Sequence, residues 1–130
     1  MTEESQPRLS PLPGGREGER LIAQKGDPPI ACQLKALDAE QRERQQELLG
    51  IVRGKIRKTV ELPDGFALQV PTDHATFMEV AEWVSLERRC CAFAEFALEL
   101  RLDDTVWVTV TGRPGAKEVL AAEMGIGLTR

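Results

Sequence analysis

This 130-residue sequence has few of the residues on which several protein classes depend: it contains three cysteines, one histidine and no tyrosine. Three cysteines are too few, and odd in number, for the disulfide framework of a small secreted domain. No apolar run approaches the roughly 18 residues that a membrane-spanning helix requires. The acidic, polar start lacks the basic and apolar regions of a secretory signal, so we expect a cytoplasmic protein without a membrane partner.

The sequence also lacks an excess of positive charge. Its 17 Lys and Arg stand against 21 Asp and Glu, a formal net charge of −4, which excludes a generally basic nucleic-acid-binding protein. The one strongly basic segment, residues 53–58, is interpreted as charge that protects an edge strand. We therefore expect no nucleic-acid partner.

Residues 1–30 are poor in core-forming side chains: they contain five prolines, four glycines and no aromatic residue. Such a stretch cannot bury enough apolar surface to offset its conformational entropy. The composition predicts a disordered tail over residues 1–30, followed by a single domain over residues 31–130. A domain of that size supports one modest core.

The remaining residues alternate between helical and strand-like patterns. Asp38 and Gln41 fit a capping box before a helix over 39–53. Two-residue alternation indicates hairpins over 55–70, with a turn at 63–65, and over 96–110. Further helices are predicted at 74–91 and 115–124, and the two ββα units match at an offset of 40 residues. The order α-ββα-ββα predicts an α+β fold, a four-stranded antiparallel sheet with helices mainly on one face.

The helix over 74–91 is apolar around more than half of its girth, so we expect it to be central and well covered. Helical spacing assigns the core stripe to Phe77, Val80, Ala81, Val84 and Cys91. Trp83, Leu86 and Cys90 fall on an adjoining flank.

The sheet face turned away from the helices is predicted to be polar with one large aromatic side chain. It would carry Arg57, Thr59, Glu61, Gln69, Glu99, Arg101, Trp107 and Thr109. Most of this face is typical of an ordinary solvent-exposed surface. Trp107 either lies under the first helix or marks a partner face, such as a homodimer contact.

Two of the cysteines, Cys90 and Cys91, are adjacent at the end of the central helix, and Cys32 lies where the tail meets the domain. The adjacent pair is not expected to form a disulfide, because neighbouring Cα atoms are about 3.8 Å apart and bridges need about 4.4–6.8 Å. A catalytic thiolate is disfavoured at a helix C-terminus. The only histidine, His74, lies at the other end of that helix, roughly 24 Å away. Whether the protein is an enzyme stays open, and a non-enzymatic role is preferred.

Two interpretations of the cysteines are preferred. They are either buried and inert, as small apolar side chains, or thiolate ligands of a soft metal. Three thiolates suit a trigonal ion such as arsenite or mercury(II) better than structural zinc, which takes a fourth ligand. Glu87, one turn before Cys91, is the candidate for that ligand or for a proton acceptor behind the thiols. Cys90 and Cys91 reach one ion only if the helix end unwinds.

Three segments resemble the motifs of a family of small bacterial proteins without an assigned activity: Ala31-Cys32-x-Leu34, Leu62-Pro63-Asp64-Gly65-Phe66 and Glu87-x-x-Cys90-Cys91-x-Phe93. Members carry Glu-x-x-Cys-Cys-Pro-Phe and a Gly-x-x-Gly-Ala segment similar to residues 112–116. They occur beside or fused to heavy-metal-responsive regulators of the mercury-resistance type, so the resemblance implies binding of a soft metal. It covers about residues 31–124 and departs at Ala92, where the family has a proline that helps to end the helix.

The sequence thus predicts a cytoplasmic protein that binds a soft metal or metalloid (mercury, arsenite or zinc) through Cys32, Cys90 and Cys91, with Glu87 supporting the ligands. The alternative is a structural or interaction module with inert cysteines, for example a homodimer formed through Trp107. A thiol enzyme or redox sensor is a third hypothesis, and it requires a depressed pKa at one cysteine.

Overall fold

The computed structural model of the chain describes residues 28–128, so the tail predicted over 1–30 lies, except for its last three residues, outside the described range. Within the described residues, a 3-10 turn, Leu34–Ala36, precedes the longer elements. These are α1 (Ala39–Lys55), β1 (Lys58–Leu62), β2 (Gly65–Val70), α2 (His74–Cys90), β3 (Ala94–Leu100), β4 (Val106–Gly112) and α3 (Ala116–Met124). Within the described range, no helix is both long and apolar enough to cross a bilayer.

The four strands form one antiparallel sheet in the order β1-β2-β4-β3, which confirms the predicted α+β fold. Each predicted hairpin pairs internally, and the second strands of the two hairpins pair at the centre of the sheet. Their helix-facing side chains are all buried in the core: Phe66, Leu68, Val70, Val106, Val108 and Val110. The basic segment leads into β1, which is an edge strand as predicted.

The facing predicted for β1 is wrong. The turn of the first hairpin is one residue shorter than expected, because Leu62 pairs with Gly65. A shift of one residue moves every side chain of a strand to the opposite face. Glu61 is consequently opposite Phe66 on the helix side of the sheet, where its carboxylate forms an ion pair of 2.6 Å with Lys117 of α3. The side chains of Val60 and Leu62 lie on the outer face instead.

Helix α1 packs with its C-terminal half, as predicted. Its buried residues are Gln45, Leu48, Leu49 and Val52, which recur at the spacing of one helical face. The residues of its first turn are mostly exposed to solvent. The apolar residues of this face place α1 against α2 and leave Gln45 as the one polar member of the buried stripe.

Helix α2 is the central helix, but its predicted core stripe is displaced. The buried residues are Thr76, Val80, Trp83, Leu86, Glu87 and Cys90. Trp83 is fully buried and meets Phe96 of β3 edge to face, with ring centroids 6.3 Å apart. Phe77 and Val84 are only partly buried against the same core. Because α2 is covered both by the sheet and by α1, the whole predicted flank is buried, whereas the predicted stripe is fully buried only at Val80 and Cys91.

The capping box at the start of α1 supplies a first prediction. The Asp38 carboxylate accepts a hydrogen bond of 2.8 Å from the Gln41 backbone N–H, and the Gln41 side chain accepts one of 3.0 Å from the Asp38 backbone N–H. We expect Asp38→Ala to lower the free energy of unfolding by about 1 kcal/mol, and Asp38→Asn to preserve it, because Asn caps equally well. Urea unfolding followed by circular dichroism measures both, and an equal loss in the two variants would contradict the capping role.

Candidate metal centre

The sulfur atoms of Cys32, Cys90 and Cys91 lie within 4.8 Å of one another. All three residues are free cysteines. The structure therefore brings together the three residues that the sequence singled out, although Cys32 is remote from the other two along the chain. This arrangement can hold a metal or metalloid ion.

Two hydrogen bonds hold the segment of Cys32 against the end of α2. The backbone N–H of Gln33 donates to the carbonyl oxygen of Cys90 at 2.8 Å. The guanidinium of Arg89 donates to the carbonyl oxygen of Ala36, also at 2.8 Å. Because one bond involves the residue next to Cys32, it places this thiol beside the cysteine pair.

The helix end opens between the two adjacent cysteines. Cys90 is the last residue of α2, and Cys91 has left the helical conformation, with φ −105° and ψ 65°. Its N–H still donates to the Glu87 carbonyl oxygen at 2.7 Å, and its own carbonyl oxygen accepts from the N–H of Ala94 at 3.0 Å. This turn lets both sulfurs approach one point, which regular helical geometry does not allow. Ala92 permits the opening although the resembled family has proline there.

Glu87 lies directly behind the cysteine pair and is only 2% exposed. Its carboxyl group accepts a hydrogen bond of 3.3 Å from the Cys91 thiol and one of 2.9 Å from the side-chain amide of Gln45. The contacts place Glu87 where the sequence predicted a group that supports the ligands.

The sequence reasoning missed two residues of the site, Glu123 and Gln45. Glu123, on α3, accepts a hydrogen bond of 3.2 Å from the Cys32 thiol and lies within 4.8 Å of Glu87 and Cys91, measured between their ligand atoms. No local pattern distinguishes Glu123 from any other glutamate on α3. Gln45 did carry a signal, since it extends the apolar stripe of α1 by one turn and a polar residue there requires a buried partner.

The surroundings of Cys32 and Cys91 favour their protonated forms. Burial, and then the hydrogen bond to Glu123, raise the pKa of Cys32 to about 12. Burial, and then the charge of Glu87, raise the pKa of Cys91 well above its usual range. Burial, and then a hydrogen bond with Glu123, raise the pKa of Glu87 to about 7. Neither Cys32 nor Cys91 has the depressed pKa that the thiol-enzyme hypothesis requires of a reactive cysteine.

The cluster runs from the surface into the core. Cys32 and Cys90 line a cleft of about 610 Å³ together with Arg42, Gln45 and Glu123. Cys32 is partly exposed, Cys90 is 4% exposed and Cys91 is fully buried. An ion that enters through the cleft therefore meets Cys32 and Cys90 before Cys91.

The two remaining candidate residues lie elsewhere. His74 begins α2, at the opposite end of the helix from Cys90, so the single histidine does not take part in the cluster. Trp107 is 8% exposed; its indole N–H donates to Thr105 at 2.9 Å, and the Arg101 guanidinium lies 4.7 Å from the ring centroid. That Trp107 contacts a second copy of this chain stays a prediction. Little of the indole is exposed for such a contact.

Comparisons with protein-family models, with curated proteins and with solved structures find no match for this chain. The function is consequently argued from the site alone. The site presents two sulfur donors, Cys32 and Cys90, in a cleft and a third, Cys91, buried beside them, and two carboxyl groups accept hydrogen bonds from two of the thiols. Such a donor set suits soft and borderline ions, which thiolate ligands select.

Proposed function

We propose that this protein binds a soft metal or metalloid ion through Cys32, Cys90 and Cys91. One observation carries the proposal: the three sulfur atoms lie within 4.8 Å of one another, and Cys32 and Cys90 line a cleft. With metal–sulfur bonds of about 2.3 Å, as in zinc sites, the sulfurs of a trigonal complex are about 4 Å apart. The sulfur atoms of the cluster are thus close to the separation that one ion requires.

The carboxyl groups support this function in two ways. Glu87 and Glu123 accept hydrogen bonds from Cys91 and Cys32, so each orients a thiol and can take up its proton when the sulfur bonds to an ion. Groups that orient ligands in this way commonly change metal affinity by about 10–100-fold when they are replaced. Glu87 and Glu123 are also alternative oxygen donors for a four-coordinate ion such as zinc.

The proposal includes a cytoplasmic location, where a reducing environment keeps the three thiols free. It agrees with the resemblance to proteins that accompany heavy-metal-responsive regulators, which itself stays a prediction. Mercury(II), arsenite and zinc are the ions to be compared. The proposed role is binding, and no reaction is assigned to the cluster.

Titration of the reduced protein with these ions, one at a time, tests the proposal. We expect the wild type to bind one ion per chain. In Cys32→Ser, the affinity for at least one of the ions should fall by at least about 100-fold, which is more than the replacement of a supporting group costs. Cys32→Ser is the leading variant because this residue is partly exposed and lies outside the helices. Cys90→Ser and Cys91→Ser complete the series, and circular dichroism verifies that each variant is folded.

Glu118→Gln provides the control for nonspecific binding, since Glu118 is an exposed carboxylate on α3, the helix of Glu123. It is expected to bind every ion as the wild type does. Equal affinity in the wild type and in all three cysteine variants would overturn the proposed function.

The rival function, an interaction module with inert cysteines, is favoured by one observation: Cys90 and Cys91 both belong to the hydrophobic core cluster. The two functions differ in the reactivity of the folded, metal-free protein. A small thiol reagent that enters the cleft should label Cys32 before Cys91 if the cluster is an open binding site. Uniformly slow labelling of all three cysteines, at the rate of global unfolding, favours the rival.

A further inference from the structure

We infer that the ion for which the cluster is built is a trivalent metalloid hydroxide of the arsenite type, taken up as an uncharged tris-thiolate complex. The inference rests on the proposed function and narrows its ligand class. Three features carry it: the number of sulfurs, the carboxyl groups beside the cluster and the depth at which the third sulfur lies.

Charge separates the candidate ions. A divalent cation held by three thiolates forms a complex with one net negative charge, whereas a trivalent arsenic or antimony atom with three thiolates forms a neutral one. The carboxyl groups of Glu87 and Glu123 lie beside the sulfurs. Among the described residues that line the cleft, the one cation is Arg42, which is exposed and accompanied by Glu43. An uncompensated anion is costly in a buried site, so these surroundings favour the neutral complex.

The exchange of the three arsenite hydroxides for three thiolates also releases no net protons. Arsenite at neutral pH is the uncharged As(OH)₃. Three arsenic–oxygen bonds break and three arsenic–sulfur bonds form, and each thiol proton leaves with a hydroxide as water: As(OH)₃ + 3 RSH → As(SR)₃ + 3 H₂O. Arsenic stays trivalent throughout, so no oxidant or reductant is required.

Two of the three proton transfers have a carboxyl group in place. The Cys91 thiol donates to Glu87 at 3.3 Å and the Cys32 thiol donates to Glu123 at 3.2 Å. Each carboxyl group can accept the thiol proton and return it to the departing hydroxide. Glu123 lines the cleft with Cys32 and Cys90, so it lies where the first hydroxides leave. Cys91, fully buried, supplies the last bond.

The third sulfur distinguishes arsenite from mercury(II). Mercury(II) accepts three thiolates, but two in a linear arrangement already satisfy it and form a neutral complex with it, so a site for mercury alone does not need Cys32, Cys90 and Cys91 together. A trivalent metalloid uses all three. The number of sulfurs that lie within 4.8 Å of one another therefore equals the number of bonds that trivalent arsenic forms.

The test combines affinity with proton release, using sodium arsenite, zinc chloride and mercury(II) chloride on the reduced chain in weak buffer at pH 7. Arsenite is expected to bind one ion per chain with no net release of protons. Zinc is expected to release protons on binding, because its thiol ligands must be deprotonated. Arsenite affinity should fall at least about 100-fold in each of Cys32→Ser, Cys90→Ser and Cys91→Ser, more than the replacement of a supporting group costs. Each variant retains two thiols and should still bind mercury(II), and circular dichroism verifies that each variant is folded.

The outcomes separate this inference from the proposed function. If zinc or mercury(II) binds through the cysteines and arsenite does not, the inference fails and the proposed function stands. The inference also fails if any single cysteine variant binds arsenite as the wild type does, since a third sulfur is then unnecessary. If none of the three ions binds through the cysteines, both fail.

Discussion

Gly65→Ala is expected to destabilise the fold severely, lowering the free energy of unfolding by about 3 kcal/mol or more, at the upper end of the cost of overpacking. A methyl group on Gly65 would overlap the carbonyl oxygen of Val110 and lie 2.8 Å from the Cα of Thr111. Both atoms belong to the backbone of β4, which pairs with β2 at the centre of the sheet. The clash cannot be relieved by a side-chain rotation, so the two central strands must separate locally.

A matched glycine makes this prediction specific. Gly50 lies inside α1, and a methyl group there would meet no atom within 4 Å. Gly50→Ala is therefore expected to stabilise the protein by about 0.5–1 kcal/mol, because alanine loses less conformational entropy in a helix. Urea unfolding of the two variants and the wild type measures both effects. A Gly65→Ala variant as stable as the wild type would contradict the close approach of β2 and β4.

Glu87→Gln is expected to remove a pH dependence of stability that the metal-free wild type shows between about pH 4.5 and pH 7. Burial, and then the hydrogen bond with Glu123, raise the pKa of Glu87 to about 7 in the folded protein. Between the unfolded and folded pKa values the native state binds more protons than the unfolded state, so stability falls as the pH rises. Each pKa unit corresponds to about 1.4 kcal/mol, and the expected loss in the wild type is about 3 kcal/mol.

Unfolding curves at pH 5 and pH 8, with a chelator and a reductant present, measure this difference in the wild type and in Glu87→Gln. Glu82 supplies a control of opposite sign, because a hydrogen bond from Arg44 lowers the pKa of its exposed carboxyl group. Its contribution is present at neutral pH and lost on acidification, so Glu82→Gln should not flatten the profile between pH 5 and pH 8. Parallel profiles for the wild type and Glu87→Gln would show that the buried carboxyl group is not the cause.

Much of the fold could be predicted from local patterns. The capping box at Asp38, the two hairpins and the breaks between them depend on neighbouring residues, and the antiparallel sheet follows from their order. The facing of β1 could not be read in the same way. It depends on whether the first hairpin turn contains two or three residues. The difference of one residue moves every side chain of β1 to the opposite face of the sheet.

Part of the candidate site could likewise be predicted from the sequence, and part could not. The cysteine pair and Glu87 are visible in the sequence because they lie within one helical turn of each other. Glu123 could not be identified, because its role depends on α3 lying beside Cys32. Gln45 was recognisable only as a polar residue on an apolar stripe, and its partner Glu87 lies on another helix.

Local periodicity and turn residues were sufficient to establish the α-ββα-ββα order and to place the only histidine at the other end of the helix from the cysteine pair. That three sulfurs meet, and that two of the thiols face carboxyl groups, was decided by the tertiary structure. The meeting depends on the hydrogen bond from Gln33 to the Cys90 carbonyl, on the opened helix end at Cys91 and on the packing of α3. The first and the last of these join residues far apart in the chain, and their free energy is gained only when the whole domain folds.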